Sequence, residues 1–445
     1  MAEESQTPFA FSPGESGDNV KTGSKTKIII IAGVAIVVVV LIIVLIVCLS
    51  GGDKSKDSEN STPEEKDTSN PDKSQNLLRL KYLVQGENVT VKLFETQRVN
   101  SFLDSISSMG TDGEPLNITD THMYATGGYK SLEIKFSKPV ENIERMFVYC
   151  TNLYEVDFSS FDTSKLTDMS ELFLGCTGLS VIKFGTSFST SKVTEMDKLF
   201  TGCIKLETLD LSQFDTSNVV KMSNMFTNCI NLKSVDLGSF NTAKVTDMQH
   251  MFLGCSSLTS LDLSSFDTSN VETFDRMFYN DKALSSLTLS KNFNAKSAFN
   301  IQHMFNSCAS LVSLDLSSFD TSKVRFMNDM FEQCTNLKYL DVSSFTTPVM
   351  ENSERMFMQC SSLQSVSLPK FEANFDRADI SEMFIGCTSL TSIDLSSLSG
   401  KNLYDCHEMF ASTPDELSFK YNSDILNTTI LEQVPSTWDM IDIAK

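Results

Sequence analysis

Histidine, tryptophan and glycine are scarce in this sequence, and the motifs that depend on them are missing. The 445 residues include four His, one Trp and 19 Gly. Neither G-x-G-x-x-G nor G-x-x-x-x-G-K-[ST] occurs, so the sequence has no nucleotide-binding fingerprint. Gly-x-Ser-x-Gly and His-Glu-x-x-His are also absent. We therefore expect no enzymatic activity, no cofactor and no metal site.

Basic residues are also fewer than acidic residues. The chain has 36 Lys and Arg against 57 Asp and Glu, and its formal net charge is −21. A nucleic-acid partner needs a basic face, and anionic lipid attracts basic segments, so this composition argues against both for the folded part. Hydrophobic residues make up 41% of the chain, which is too many for a largely disordered protein.

One long apolar segment lies near the amino terminus. Ile28 to Leu49 contain no charged residue and consist mostly of Ile and Val. A membrane-spanning helix needs about 20 apolar residues, so this segment predicts a transmembrane helix over 28–49. A cleaved signal peptide is an alternative, but its apolar region is usually about 7–15 residues long. Lipoprotein cleavage before Cys48 is another, although Val47 is bulky where a small residue is normal.

The segments on either side of this run are polar. Residues 1–27 predict a disordered tail, and residues 50–76 predict a flexible linker that cannot bury a core. Three lysines lie just before the apolar run and two just after it, which favours a cytoplasmic amino terminus. The expected location is the cell membrane, in a single pass, with the carboxy-terminal body extracellular.

The phrase Met-Phe-x-x-Cys, or a near variant, recurs along most of the chain. Its last position falls at residues 150, 176, 203, 229, 255, 281, 308, 334, 360, 387 and 413, in steps of 26 or 27 residues. Asp281 and Thr413 replace Cys, but the Met-Phe before them keeps the register. Such a period is typical of a solenoid, which we place over residues 136–413.

Each repeat has two apolar patterns of different period. Leu261 and Leu263 alternate around a polar residue, which predicts a short strand with one buried face. Phe274, Met277 and Phe278 follow at the spacing of one helical face. Each unit is therefore predicted to be a strand followed by a short helix or 3₁₀ segment. The expected fold is an α/β repeat: a leucine-rich-repeat-like solenoid with a parallel sheet on its concave face, preceded by the transmembrane helix.

The ends of the array need different structures, because terminal repeats expose their apolar faces. Residues 77–135 contain strand-like segments and predict an amino-terminal cap or a small β-rich subdomain. Residues 414–445 predict a carboxy-terminal cap.

The recurring Leu-x-x-Leu-Asp-Leu-Ser-Ser-Phe-Asp-Thr-Ser-x-Val-x-x-Met-x-x-Met-Phe-x-x-Cys resembles the repeat of BspA-like leucine-rich repeat surface proteins. Leu258 to Phe278 and Leu311 to Phe331 are good copies. The resemblance covers about residues 136–413 and implies a leucine-rich-repeat-like solenoid with a surface role in adhesion or binding. Ser-Ser-Phe stands where ordinary leucine-rich repeats place an Asn, so the sequence departs from that pattern in the turn.

Nine of the eleven Cys occupy the repeated position and should form a ladder along the solenoid. Neighbouring rungs are close enough for disulfide geometry, but Asp281 interrupts the series. Cys406 stands at a position that other repeats fill with Met or Phe. We therefore expect buried free thiols, with some neighbouring disulfides as the alternative.

The residue between the two strand Leu positions should point away from the core. Seven of these residues are carboxylates: Asp157, Asp210, Asp236, Asp262, Asp315, Asp341 and Asp394. We name these seven residues the aspartate strip. Local hydrogen bonding on a soluble face, a polar ligand-binding surface and a calcium ladder are the three interpretations of the strip. As a site, the strip predicts contact with a protein or glycan partner.

Two further sets of residues have ordinary explanations. His250 and His303 stand at the same position before Met-Phe, so we interpret them as repeat surface residues. Asn60, Asn88, Asn117 and Asn427 fit the N-glycosylation pattern and lie outside the repeats.

The functional prediction is a membrane-anchored surface protein whose solenoid binds protein or glycan partners on another surface. The chain would contact the membrane through residues 28–49 and would bind no nucleic acid. A non-binding envelope spacer is the second hypothesis. An intracellular membrane-tethered scaffold is the third, if the topology is inverted.

Overall fold

The structure is a computed structural model, and it describes residues 76–95, 102–368, 378–398, 403–426 and 428–445. Within these ranges the chain forms nineteen β-strands, one 3₁₀ turn at Leu103–Ser105 and one short α-helix, α1, at Thr428–Leu431.

Six strands precede the solenoid. They are β1 Leu77–Val84, β2 Val89–Lys92, β3 Ile106–Thr111, β4 Glu114–Leu116, β5 Thr121–Tyr124 and β6 Gly128–Phe136. Strand β1 lies between β6 and the first solenoid strand, β7, and is antiparallel to both. The amino-terminal sheet therefore continues directly into the solenoid and covers the exposed edge of β7.

The solenoid contributes one short strand per turn over most of its length. These strands are β7 Leu153–Ser160, β8 Val181–Lys183, β9 Thr208–Asp210, β10 Ser234–Asp236, β11 Ser260–Leu263, β12 Ser286–Leu289, β13 Tyr339–Asp341, β14 Ser365–Ser367, β16 Ser392–Asp394, β18 Ser418–Tyr421 and β19 Asp439–Asp442. Two further strands, β15 Ala378–Asp379 and β17 Leu403–Asp405, pair with each other in a separate sheet. Paired strands are parallel, and Leu261 lies opposite Leu287 in the next turn. Equivalent side chains of successive repeats therefore stack.

A second ladder of single parallel bridges runs along a different face, which we call the bridge face. It joins Asn142, Asp168, Glu195, Lys221, Asp247, Thr273, Asn300, Phe326, Asn352 and Asp379, one residue per turn. The solenoid is thus held by backbone hydrogen bonds on at least two faces.

The predicted helix in each repeat is wrong. His250 and Gly254 have φ of 57° and 74°, in the left-handed region that no right-handed helix contains. The N–H groups of residues 250, 252 and 254 donate to carbonyls of the next turn, at 275, 277 and 279. Residues 251, 253 and 255 instead donate three residues back within their own turn. Tight turns therefore place the apolar residues inward at a spacing that resembles a helical face.

The fold is consequently a β-solenoid of about ten turns with almost no helix, which corrects the predicted α/β repeat. The transmembrane helix predicted before it is not supported. Residues 28–49 lie outside the part of the chain that the structure describes. Among the residues that are described, no helix is both long enough and apolar enough to span a bilayer.

Two stacked columns fill the core beneath the Met-Phe-x-x-Cys corner. The Phe rings of successive repeats, from Phe147 to Phe410, stack with centroids 5.3–6.1 Å apart. Cys thiols donate to the carbonyl of the Phe one turn back, as Cys255 does to Phe226 at 3.2 Å. All ten Cys in the described ranges are buried and unbridged, so the predicted burial is confirmed. Burial raises the pKa of the Cys229 thiol to about 12, which makes it unreactive.

A threonine ladder supports the Asp-Thr-Ser corner. The hydroxyl of Thr242 accepts the N–H of Asp267 at 2.9 Å and donates to the carbonyl of the same residue at 2.8 Å. Thr190, Thr216, Thr268 and Thr321 make the same pair of bonds to the following turn. In each of these turns, a buried threonine hydroxyl therefore makes the hydrogen bonds that join neighbouring turns where the chain bends.

The carboxy-terminal residues close the core. Trp438 is buried, and its ring lies 5.1 Å from Phe410 and 5.6 Å from Phe419. Strand β19 pairs in parallel with β18. The last Phe of the stacked column is therefore covered by an aromatic side chain rather than by another repeat.

Candidate binding face

The solenoid strands place the aspartate strip on one outward face. In β11 the buried Leu261 and Leu263 alternate with the exposed Ser260 and Asp262. Asp210, Asp236, Asp315 and Asp341 are exposed in the same way, whereas Asp157 and Asp394 are half-buried. We call this surface the strand face.

The register brings only some strip members directly beside one another. Asp210 lies opposite Asp236 in paired strands, about 4.8 Å away at the sheet spacing. Asp157 instead lies opposite Lys183, and Asp262 lies opposite Thr288. Ser367 lies between Asp341 and Asp394 in the same way. The strip is therefore a row of carboxylates interrupted by a Lys, a Thr and a Ser, not an unbroken acidic column.

Each strip carboxylate also caps its own turn. Asp262 Oδ1 accepts the N–H of Ser264 at 2.9 Å, and the other six make the equivalent bond at 2.8–3.0 Å. Hydrogen bonds from the Ser two residues on lower the pKa of Asp210, Asp262, Asp315 and Asp341. These four carboxylates are therefore ionised at neutral pH, and every member of the strip has a local structural role as well.

Hydroxyl groups form a parallel column beside the carboxylates. Thr208, Ser234, Ser260, Ser286 and Ser392 hold the outward position two residues before the strip residue of their strand. Tyr339 holds the same position in β13, with 57% of its surface exposed. Tyr339 is not a member of the predicted strip, because the strip contains only residues that lie between the two strand Leu positions.

A basic and aromatic cluster occupies the amino-terminal end of the strand face. Lys81 and Lys183 both bind Glu155, at 2.9 and 2.5 Å. Tyr129 and Tyr154 pack edge to face with ring centroids 4.9 Å apart. Because β1 comes from the amino-terminal sheet, the repeat pattern alone gave no signal for this cluster.

His250 and His303 lie on the bridge face, against carboxylates of the next turn. His250 Nε2 lies 3.5 Å from Asp275 Oδ2, and His303 Nε2 lies 3.4 Å from Asp329 Oδ2. Arg355 Nε binds the other oxygen of Asp329 at 2.8 Å. Burial alone would raise the pKa of Asp329, but Arg355 and its other partners hold that pKa below the ordinary value. These contacts bind neighbouring turns together.

A calcium ladder gains no support from this geometry. Within the described ranges, no group of three His, Cys, Asp or Glu side chains is arranged to hold a metal ion.

Two of the four residues that fit the N-glycosylation pattern are accessible. Asn88 and Asn117 are exposed, whereas Asn60 and Asn427 lie outside the part of the chain that the structure describes.

Comparisons with known proteins found one family and one solved structure. Residues 132–203, 180–288 and 286–377 match the family described as "Mycoplasma protein of unknown function, DUF285". No curated protein matches the chain. A solved structure, a leucine rich cell surface protein from Faecalibacterium prausnitzii A2-165, is 17% identical, with a TM-score of 0.34 over 72% of this chain and 88% of its own. Neither description names an enzyme. The family matches together cover more than half of the sequence, and the chain therefore belongs to this DUF285 family.

Proposed function

We propose that this protein is a cell-surface protein whose solenoid binds a protein or glycan partner through the strand face. The observation that carries the proposal is the aspartate strip: acidic side chains, next to a column of hydroxyls, repeat along one outward face. The resemblance of the repeat to BspA-like surface proteins supports the surface role and adhesion.

The rigidity of this face favours binding. Each strip carboxylate is held by a backbone N–H, and each strand is anchored by a buried Leu. Because these groups are already ordered, the strand face loses less conformational entropy when a partner binds than a mobile loop would. Solenoids present extended surfaces of this kind to their partners.

Charge indicates the chemistry of the partner. The strip carries no compensating Lys at Asp210, Asp236, Asp262, Asp315 or Asp341, and the chain as a whole has a net charge of −21. A basic protein surface or a glycan with many hydroxyl donors complements such a face. We therefore expect binding that weakens as salt screens the carboxylates, over a screening length of about 10 Å at 0.1 M salt.

Two experiments test the proposal. Protease treatment of intact cells, followed by mass spectrometry, should release solenoid peptides such as those around 311–323. The full chain, applied to arrays of matrix proteins and glycans, should bind at least one class saturably and in a salt-dependent manner. Protection of the solenoid until the membrane is broken would contradict the surface role, and the absence of saturable binding would contradict the binding role.

A spacer function is the second candidate, and one observation favours it. Every strip Asp caps its own turn, so local stability alone accounts for an Asp at that position. A spacer would be released by protease from the cell surface but would show no saturable binding on the arrays.

A further inference from the structure

The turn that runs from residue 281 to 307 departs from the repeat at two buried ladders. Asp281 is the one position between Cys150 and Cys387 where the Cys ladder has another residue. Ala295 stands in the threonine ladder, between Thr268 and Thr321. Both side chains are fully buried, so both ladders are interrupted in the same turn.

Asp281 is poorly accommodated in the core. Neither of its carboxyl oxygens has a hydrogen-bond partner, although the residue is completely buried. The Cys255 and Cys308 thiols are the titratable groups on either side, and burial keeps both neutral. Burial raises the pKa of the Asp281 carboxyl group well above the ordinary value. Ionisation in this site therefore requires water to enter the core.

Ala295 interrupts the threonine ladder in the same turn. The Thr268 hydroxyl above it still donates to the carbonyl of Asn294 at 2.8 Å. Ala295 has no hydroxyl, however, and cannot bond to the following turn as Thr268 and Thr321 do. The corner between these turns is therefore held by fewer hydrogen bonds.

Strand pairing is interrupted at the same place. After β12, the next turn contributes only the single bridge between Ser313 and Tyr339. Pairing is also interrupted between β8 and β9 and between β10 and β11, but at those places the Cys and threonine ladders are complete. In the turn at 281–307, by contrast, the three weaknesses coincide.

Other contacts of this turn are intact. Phe278 stacks on Phe252 and on Phe305 beside Asp281, with centroids 5.7 and 5.3 Å apart. The bridge face also continues, because Asn300 pairs with both Thr273 and Phe326. The Phe stack and the bridge face are therefore continuous through this turn, whereas the Cys ladder, the threonine ladder and the strand pairing are interrupted.

We propose that the turn at 281–307 is a hinge: the Phe stack and the bridge face act as its fixed side, and the strand face opens when Asp281 ionises. The hinge divides the aspartate strip between Asp262 and Asp315, with Thr288 at the division. Opening would change the spacing of the two halves of the strip. The hinge itself does not depend on the proposed binding function.

Hydrogen exchange of the full chain at pH 5 and pH 8 tests the hinge, after correction for intrinsic exchange rates. Peptides from 281–311 should be protected less than peptides from 229–255 and 334–360 by about tenfold at pH 8, and by less at pH 5. Asp281→Cys, which restores the ladder, should raise the protection of 281–311 to that of the flanking turns at both pH values. Ala295→Thr is a second restoring variant and should raise it in part.

Three results would overturn the proposal. They are uniform protection of all solenoid turns in the unmodified chain, unchanged low protection of 281–311 in both restoring variants, and a difference between turns that is the same at pH 5 and pH 8. Cys334→Ser is the matched control, because it changes a ladder position in a turn whose other ladders are complete. It should leave the protection of 281–311 unchanged.

Discussion

At the residue scale, Asp281 is a fully buried carboxyl group whose two oxygens have no hydrogen-bond partner. A carboxyl group without partners in an apolar site is unfavourable by about 2 kcal/mol, and Asp281→Cys should increase the free energy of unfolding by about that amount at neutral pH. The raised pKa means that the native state keeps a proton that the unfolded chain releases above about pH 4. The contribution of Asp281 to stability therefore falls as pH rises from there.

Urea unfolding from pH 4 to 8 measures this effect. The difference between Asp281→Cys and the unmodified chain should grow as pH rises. A constant difference would mean that packing, rather than ionisation, sets the cost of Asp281.

A second prediction at this scale concerns Arg355, which binds the buried Asp329. Arg355→Ala leaves that carboxylate with fewer partners in the core and should lower the free energy of unfolding by about 2 kcal/mol. The loss is moderated because His303 also faces Asp329 and Arg355 is partly exposed. Arg325→Ala is the control, because the Arg325–Glu351 pair is exposed and should contribute less than about 1 kcal/mol. Equal losses in the two variants would contradict a structural role for the buried pair.

At the scale of the repeat, the periodicity predicted much of the structure. The Met-Phe-x-x-Cys register predicted the stacked core, the burial of the Cys and the outward strip, because equivalent positions of stacked repeats must have equivalent surroundings. The turn conformation could not be read from the apolar spacing, since a helix and a series of tight turns bury the same positions. A signal was present: the residue before the Cys is Gly175, Gly202, Gly254 or Asn228 in several repeats, and these residue types adopt positive φ readily. His250 has the same conformation without any such signal.

The threonine ladder supplies a prediction at the scale of the corner. Thr242→Val keeps the shape of the side chain but leaves the N–H and carbonyl of Asp267 without their partner, at a cost of about 2 kcal/mol. Thr242→Ser keeps the hydroxyl and should cost less than half as much. If urea unfolding shows the two variants to be equally stable, the corner is held by packing and not by these hydrogen bonds.

At the scale of the whole molecule, stability should depend on register rather than on length. Removal of residues 230–255, one complete repeat, should give a folded chain that is one turn shorter, because each turn contacts mainly its neighbours. Removal of residues 230–242, half a repeat, brings strand positions against corner positions and should prevent cooperative unfolding. Far-UV circular dichroism and urea titration distinguish these outcomes, and equal behaviour of the two deletions would contradict the stacked register.

Binding through the strand face is tested most directly by two variants that are matched in charge. Asp210, Asp262 and Asp315 are changed together to Asn, which keeps the oxygen that caps each turn and removes the charge. The control changes Asp215, Asp267 and Asp320 to Asn. These residues cap turns of the same repeats in the same way, but they lie on the Asp-Thr-Ser corner. For the partner that the arrays identify, the strip variant should lose at least about tenfold in affinity, or about 1.4 kcal/mol, and the corner variant should bind as the unmodified chain does. Unchanged binding by the strip variant, or an equal loss in both, would contradict the assignment of the strand face.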